Sequence, residues 1–134
     1  MNAASVPLTL VADRLNLYGG IVHHIHDGDT VMILIWSPVE QHYVLTGCRV
    51  RGVQAPELTD PGGKEVRDFL TARLPAGQEV IVHDVGAYPR AAHITCSITM
   101  ADGVDVAAWL LEHKYAVAWD GKGAKPPVPW PPAV

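Results

Sequence analysis

The sequence predicts an α+β fold in which five short strands close into an OB-type β-barrel and two helices pack against it. Five segments of strand length are rich in apolar and β-branched residues and are bounded by turn residues. Two further segments place their apolar residues at helical spacing, one between the third and fourth strands and one after the fifth. This order of elements is that of an OB-type barrel with an additional C-terminal helix.

The strands are predicted from apolar runs that end at turn-forming residues. Asp27-Gly28 is a dipeptide favoured in hairpin turns, so it should join the first two strands. Ser37-Pro38 ends the second strand and Pro56 stops the third, because proline cannot donate to a strand ladder. The five strands are expected over 18–26, 30–36, 42–53, 79–85 and 91–100.

The helices are predicted from apolar residues that recur every three or four positions. The first helix lies between Gly63 and Pro75, and its apolar positions are Val66, Phe69, Leu70 and Leu74. The second helix covers 104–114 and should bury Val106, Trp109, Leu110 and either His113 or its neighbour.

The chain divides into an N-terminal arm (1–16), one barrel domain (17–121) and a Pro-rich tail (122–134). A chain of 134 residues with 49% hydrophobic residues is long enough for one packed core. Five prolines among the last ten residues predict an extended, polyproline-like segment whose Trp130 packs against the domain. The tail is also a candidate site for a protein partner.

The net charge of −4 and the charged fraction of 18% exclude a basic nucleic-acid-binding arm and a disordered acidic tail. Long DNA should be captured weakly, because non-specific affinity comes mainly from neutralising phosphates. Any phosphate site must therefore be a local concentration of positive charge.

No signal peptide or membrane span is expected, so a cytoplasmic location without membrane partners is the default prediction. Cys48 and Cys96 each lie within an apolar, strand-like run. We expect both to be buried free thiols rather than a disulfide or a reactive pair.

Acidic and basic residues stand at the ends of the first and third predicted strands. Asp27-Gly28-Asp29-Thr30 forms a turn with two carboxylates, and Arg49 lies late on the third strand before Pro56-Glu57. Carboxylates suit hard cations, and guanidinium groups match phosphate geometry. The combination suggests a metal and a phosphate sharing one site.

These motifs, in this order, resemble those of the staphylococcal-nuclease-like (thermonuclease) family over about residues 21–120. The resemblance rests on the two segments just described and on three further motifs, Gly63-Lys64-Glu65, Tyr88-Pro89-Arg90 and Asp102-Gly103-Val104-Asp105-Val106. It implies Ca²⁺-dependent hydrolysis of phosphodiester bonds in DNA or RNA, with single-stranded or flexible nucleic acid as the expected partner.

The resemblance also implies a Ca²⁺ site. Asp29 would be a direct ligand, Asp27 would support it from the turn, and Gln54 and Ala55 would complete the site. Gln54 stands where the family has a second ligating aspartate, and its amide oxygen carries no charge. We therefore expect Ca²⁺ to be bound weakly and its site to be completed by the substrate phosphate.

For the phosphate, the resemblance implies that Arg49 and Arg90 bind it and stabilise its charge in the transition state. Glu57 would hold or activate the attacking water. Arg51 and Tyr88 are the expected substrate-binding residues. Two departures from the family pattern concern the backbone. Pro89 replaces a glycine beside Arg90, and Lys114 occupies a helix-ending, left-handed position that costs a non-Gly residue roughly 1 kcal/mol.

Each of these residues also has a structural interpretation. Asp27 and Asp29 are favoured in hairpin turns for backbone reasons, and Glu57 could cap the turn after Pro56. Arg49 and Arg51 should share one strand face, which could be solvated, and Arg90 could be an ordinary loop residue.

Two functions follow from these alternatives. The first is a Ca²⁺-dependent nuclease. The second is a barrel that has lost its chemistry and serves as a binding or structural component, for example of a phage particle or another assembly. A bacterial, plasmid or phage origin is compatible with the sequence.

Overall fold

The computed structural model describes residues 17–87 and 93–132. Within them, five strands form a closed barrel, in the spatial order β1, β2, β3, β6, β5: β1 (Leu17–Asp27), β2 (Thr30–Ser37), β3 (His42–Val50), β5 (Glu79–Ala87) and β6 (Ile94–Met100). A separate two-stranded sheet pairs β4 (Val53–Gln54) with β7 (Val117–Ala118). The helices are α1 (Gly63–Arg73) and α2 (Val106–Glu112). The predicted α+β, OB-type barrel is confirmed.

Strand pairing brings the hairpin after β1 next to the end of β3. β2 pairs antiparallel with both β1 and β3, and Thr30 lies opposite Arg49. A parallel pairing of Cys48–Val50 with β6 closes the barrel on the other side of β3. The carboxylates of the turn and the arginine of the third strand therefore lie at the same end of the barrel.

Helix α1 packs directly on this hairpin. Its buried residues Val66 and Leu70 join the barrel core, and burying each such side chain contributes roughly 1.5–3 kcal/mol. Gly28 has no room for a side chain, since a Cβ atom there would lie 2.6 Å from Val66 Cγ1 and 2.8 Å from Ala55 Cβ. The turn must contain glycine for this close approach of helix and loop.

The structure corrects the predicted end of the third strand. β3 ends at Val50, and a turn at Arg51-Gly52 precedes β4. Gly52 has a φ of 86°, which an extended strand does not accommodate, so the chain changes direction there. Neither β4 nor β7 has a periodic pattern that could predict it, because each strand has only two residues. Residues 91 and 92 of the predicted fifth strand lie outside the described residues.

Helix α2 is shorter than predicted and buries fewer side chains. Val106 and Leu110 are buried, whereas Trp109 is only half-buried and His113 is exposed. Asp105 caps the helix by accepting a hydrogen bond from the Ala108 N–H at 3.0 Å.

The remaining fold predictions concern the cysteines and the tail. Cys48 and Cys96 are buried free thiols, as expected. A hydrogen bond with Cys96, together with burial, raises the pKa of the Cys48 thiol, so this thiol stays protonated. Trp130 packs against the core, also as expected. In the described part of the chain, no helix is long and apolar enough to cross a membrane.

The left-handed position predicted at Lys114 is confirmed, with a φ of 60°. Replacing Lys114 with glycine should therefore stabilise the protein by up to about 1 kcal/mol, because glycine adopts this conformation without strain. Urea unfolding measures the change. Ala108→Gly on the exposed face of α2 is the control and should destabilise by about 1 kcal/mol. If K114G loses as much stability as A108G, the left-handed conformation of Lys114 is not strained.

Candidate functional site

The first carboxylate of the candidate site, Asp29, is held in place by its own turn. Its backbone N–H donates to Asp27 Oδ1 at 3.1 Å, and its side chain is buried. Asp29 Oδ2 accepts a hydrogen bond from the Ala55 N–H at 2.9 Å and lies 3.5 Å from Arg49 Nη2. The hairpin, β3 and the loop after β4 thus meet at this one carboxylate.

The Arg49 guanidinium group is buried among oxygen atoms. Nη1 donates to the carbonyl oxygen of Val50 at 2.7 Å, and Nη2 donates to Gln54 Oε1 at 2.9 Å. The Trp119 ring lies beside the guanidinium, with its centroid 5.9 Å from Arg49 Cζ. A buried guanidinium must be paired, because leaving such a charge uncompensated costs several kcal/mol. The orientation of Arg49 is therefore set by its neighbours.

Gln54 and Ala55 use their oxygen atoms within the protein. The Gln54 amide oxygen accepts from Arg49, and its Nε2 donates to the Ala55 carbonyl oxygen at 2.7 Å. Gln54 is buried and connects the guanidinium to the loop that follows β4. Both oxygens expected from the sequence as metal ligands therefore already accept hydrogen bonds.

The pKa of Asp29 is raised to about 7. Burial is the main cause, the nearby negative charge of Asp27 adds to it, and Arg49 and the Ala55 N–H oppose it. Arg49 therefore does not offset the effect of burial on the pKa of this carboxyl group. A bound cation would favour the ionised carboxylate.

Glu57 lies at the rim of a neighbouring cavity of about 510 Å³. Its Oε1 lies 2.7 Å from Lys125 Nζ in an ion pair that is partly open to solvent. The cavity is also lined by Gln54 and Ala55, which form hydrogen bonds with Arg49 and Asp29, respectively.

Arg51 does not join this group. It is exposed in the turn after β3, and its Nη2 donates to the Asp84 carbonyl oxygen at 2.7 Å and to Thr95 Oγ1 at 3.1 Å. The prediction that Arg49 and Arg51 share one strand face is wrong, because β3 ends at Val50. Tyr88 and Arg90 lie outside the described residues, so their roles stay predictions.

No sequence motif predicts the positions of two residues in this region, Lys125 and Trp119. Lys125 reaches Glu57 from 68 positions away, because the tail folds back over the domain. Trp119 is buried beside Arg49, and its Nε1 donates to the Lys122 carbonyl oxygen at 3.0 Å. The sequence signal for these contacts is limited to two lysines, Lys122 and Lys125, between two tryptophans near the chain end.

The chemistry of the donors fits a weakly held, hard divalent cation. All of them are oxygens, and Asp29 and Asp27 supply negative charge that Arg49 compensates only in part. Gln54 and Ala55 add no charge and would have to exchange their present hydrogen bonds. Among the described residues, no three His, Cys, Asp or Glu side chains are grouped as for a tight metal site.

A scan against protein-family models gives no match, and a search of curated proteins finds no significant relative. The resemblance to the staphylococcal-nuclease-like family therefore rests on the motifs themselves.

The raised pKa of Asp29 predicts a pH-dependent loss of stability. Because the folded-state pKa lies above the unfolded value, its stabilising effect is complete below about pH 4 and is lost as the pH rises towards 7. D29N lacks this titration. Its free energy of unfolding should therefore rise relative to wild type, by on the order of a few kcal/mol, between about pH 4 and pH 8.

Urea unfolding across this pH range measures the effect. D60N, at an exposed aspartate of the neighbouring loop, is the control and should follow the wild-type pH profile. If the difference in free energy of unfolding between D29N and wild type does not change with pH, folding does not raise the pKa of Asp29.

Proposed function

We propose that this protein is a divalent-cation-dependent nuclease of the staphylococcal-nuclease type, which hydrolyses phosphodiester bonds in DNA or RNA. The observation that supports this most is the buried Arg49 guanidinium, which lies beside the Asp29 carboxylate and donates to Gln54, a residue that lines the same cavity as Glu57. In this proposal, Arg49 binds the phosphate, Asp29 binds the metal ion and Glu57 is the candidate base.

Ca²⁺ would be held by Asp29 with support from Asp27, and by the oxygens of Gln54 and Ala55. When bound, it would polarise the phosphate and lower the pKa of a bound water molecule. The low charge of this donor set makes affinity depend on the substrate phosphate. The cation and the nucleic acid should therefore bind cooperatively.

Arg49 would bind the scissile phosphate. Its guanidinium is planar and permanently charged, and it can donate two parallel hydrogen bonds to phosphate oxygens. Since Nη2 is shared between Gln54 and Asp29, the phosphate would replace the contact with Gln54 while the charge stays in place. Positive charge already positioned where negative charge develops lowers the barrier of phosphoryl transfer.

Glu57 would hold the attacking water and accept its proton. The carboxylate is half-exposed at the mouth of the cavity, where water can reach it. A general base in such a position typically contributes about 10²–10⁴-fold to the rate.

A second candidate function is a non-catalytic nucleic-acid-binding or structural module, such as a part of a phage particle. The observation that favours it is the hydrogen-bonded chain from Arg49 through Gln54 to the Ala55 carbonyl oxygen. In this arrangement the amide satisfies the arginine and the loop without any metal. The barrel would then keep its shape and its partners but not its reaction.

The two functions differ in the cleavage of a single-stranded oligonucleotide in the presence of Ca²⁺. For a nuclease, Glu57→Gln should lower the rate about 10²–10⁴-fold, because the amide cannot accept the proton. Glu79→Gln, at an exposed carboxylate on β5, is the matched control and should cleave at the wild-type rate.

Wild-type activity that survives in E57Q would remove Glu57 from the mechanism. A complete absence of cleavage by the wild-type protein, with Ca²⁺ or other divalent cations, would favour the non-catalytic module.

A further inference from the structure

The C-terminal tail forms one wall of the cavity beside the candidate site. The opposite wall comes from the loop after β4. The tail contributes Lys125, Pro126, Pro127 and Trp130, and the other wall contains Gln54 at the end of β4 and Glu57 in the loop that follows. The cavity of about 510 Å³ lies within the size range of small-molecule sites.

Contacts with the rest of the domain hold the tail in place at both ends of this wall. Near its start, the Lys122 N–H donates to Asp120 Oδ1 at 2.9 Å, and the Lys122 carbonyl oxygen accepts from Trp119. At its end, the Trp130 ring covers Gly62 so closely that a Cβ atom there would overlap it. The ring centroid of Trp130 also lies 6.5 Å from that of Tyr115. The position of Lys125 is therefore a property of the packed fold.

Lys125 brings a positive charge to the mouth of this cavity. Its ammonium group contacts Glu57, and the two side chains are 41% and 45% exposed, respectively. An ion pair exposed to this degree contributes little to stability, because solvent screens the two charges. Lys125 can therefore exchange Glu57 for an incoming phosphate at small cost, and the exchange would release the Glu57 carboxylate.

We infer that the tail and the loop after β4 form a nucleotide subsite, in which Lys125 binds a phosphate of the substrate. The prolines and Trp130 provide an apolar surface against which a sugar or base can pack. This inference rests on the proposed function, since it takes the substrate to be a nucleic-acid strand that extends from Arg49 into the cavity. It makes Lys125 a substrate-binding residue for that strand.

The test is calorimetric titration of the full chain with thymidine 3′,5′-bisphosphate, at fixed Ca²⁺. K125A should weaken binding about 10-fold or more, and K125R, which keeps the charge, should stay within about 3-fold of wild type. K122A changes a tail lysine that does not line the cavity and should bind as wild type. Binding of thymidine itself, which has no phosphate, should be the same in K125A and wild type.

Three results would overturn the subsite. Unchanged binding in K125A would show that Lys125 does not contact the phosphate. Tighter binding in K125A would show that the tail excludes the ligand rather than receives it. Failure of wild type to bind the bisphosphate would also overturn it.

The proposed nuclease activity is tested separately from the nucleotide subsite. Bisphosphate binding that depends on Lys125, without any cleavage of oligonucleotide, would leave the subsite intact and refute the nuclease. Cleavage with equal bisphosphate binding by K125A and wild type would refute the subsite alone.

Discussion

The buried contact between Asp29 and Arg49 connects the barrel to its candidate site. Each residue depends on the other, because removing one partner of a buried pair leaves a charge without compensation and typically costs about 3–5 kcal/mol. The contact needs Thr30 opposite Arg49, and it needs the loop after β4 to present the Ala55 N–H to the same carboxylate. Strand register, the hairpin and the loop are therefore coupled through one pair of side chains.

The electrostatic balance of this pair decides what the site can bind. Burial and Asp27 raise the pKa of Asp29 more than Arg49 lowers it. Gln54 contributes a neutral amide that already serves Arg49 and the Ala55 carbonyl oxygen. In the proposed function, the cation and the phosphate would therefore bind together, and the metal ion would not be resident. The same neutral amide is what would let the barrel persist as a binding module.

The sequence predicted those features that depend on local pattern. Apolar, β-branched runs and the order of the elements predicted the barrel, and Asp27-Gly28 predicted the hairpin. The left-handed position of Lys114 followed from the resemblance to the staphylococcal-nuclease-like family. Features that depend on a single backbone angle or on distant contacts were missed. Gly52 ends β3 early and separates Arg51 from Arg49, and the Glu57–Lys125 pair joins residues 68 positions apart. Neither feature has a periodicity that could be read from the chain.

The shared metal and phosphate site is tested most directly by calorimetric titration of Ca²⁺ into wild type and Gln54→Asp, with and without a nucleoside bisphosphate. We expect wild type to bind Ca²⁺ measurably only when the bisphosphate is present, because the phosphate supplies the missing charge. Q54D, with one more carboxylate, should bind Ca²⁺ about 10-fold more tightly or better. If neither wild type nor Q54D binds Ca²⁺ or the bisphosphate, the result would contradict a shared metal and phosphate site at Asp29 and Arg49.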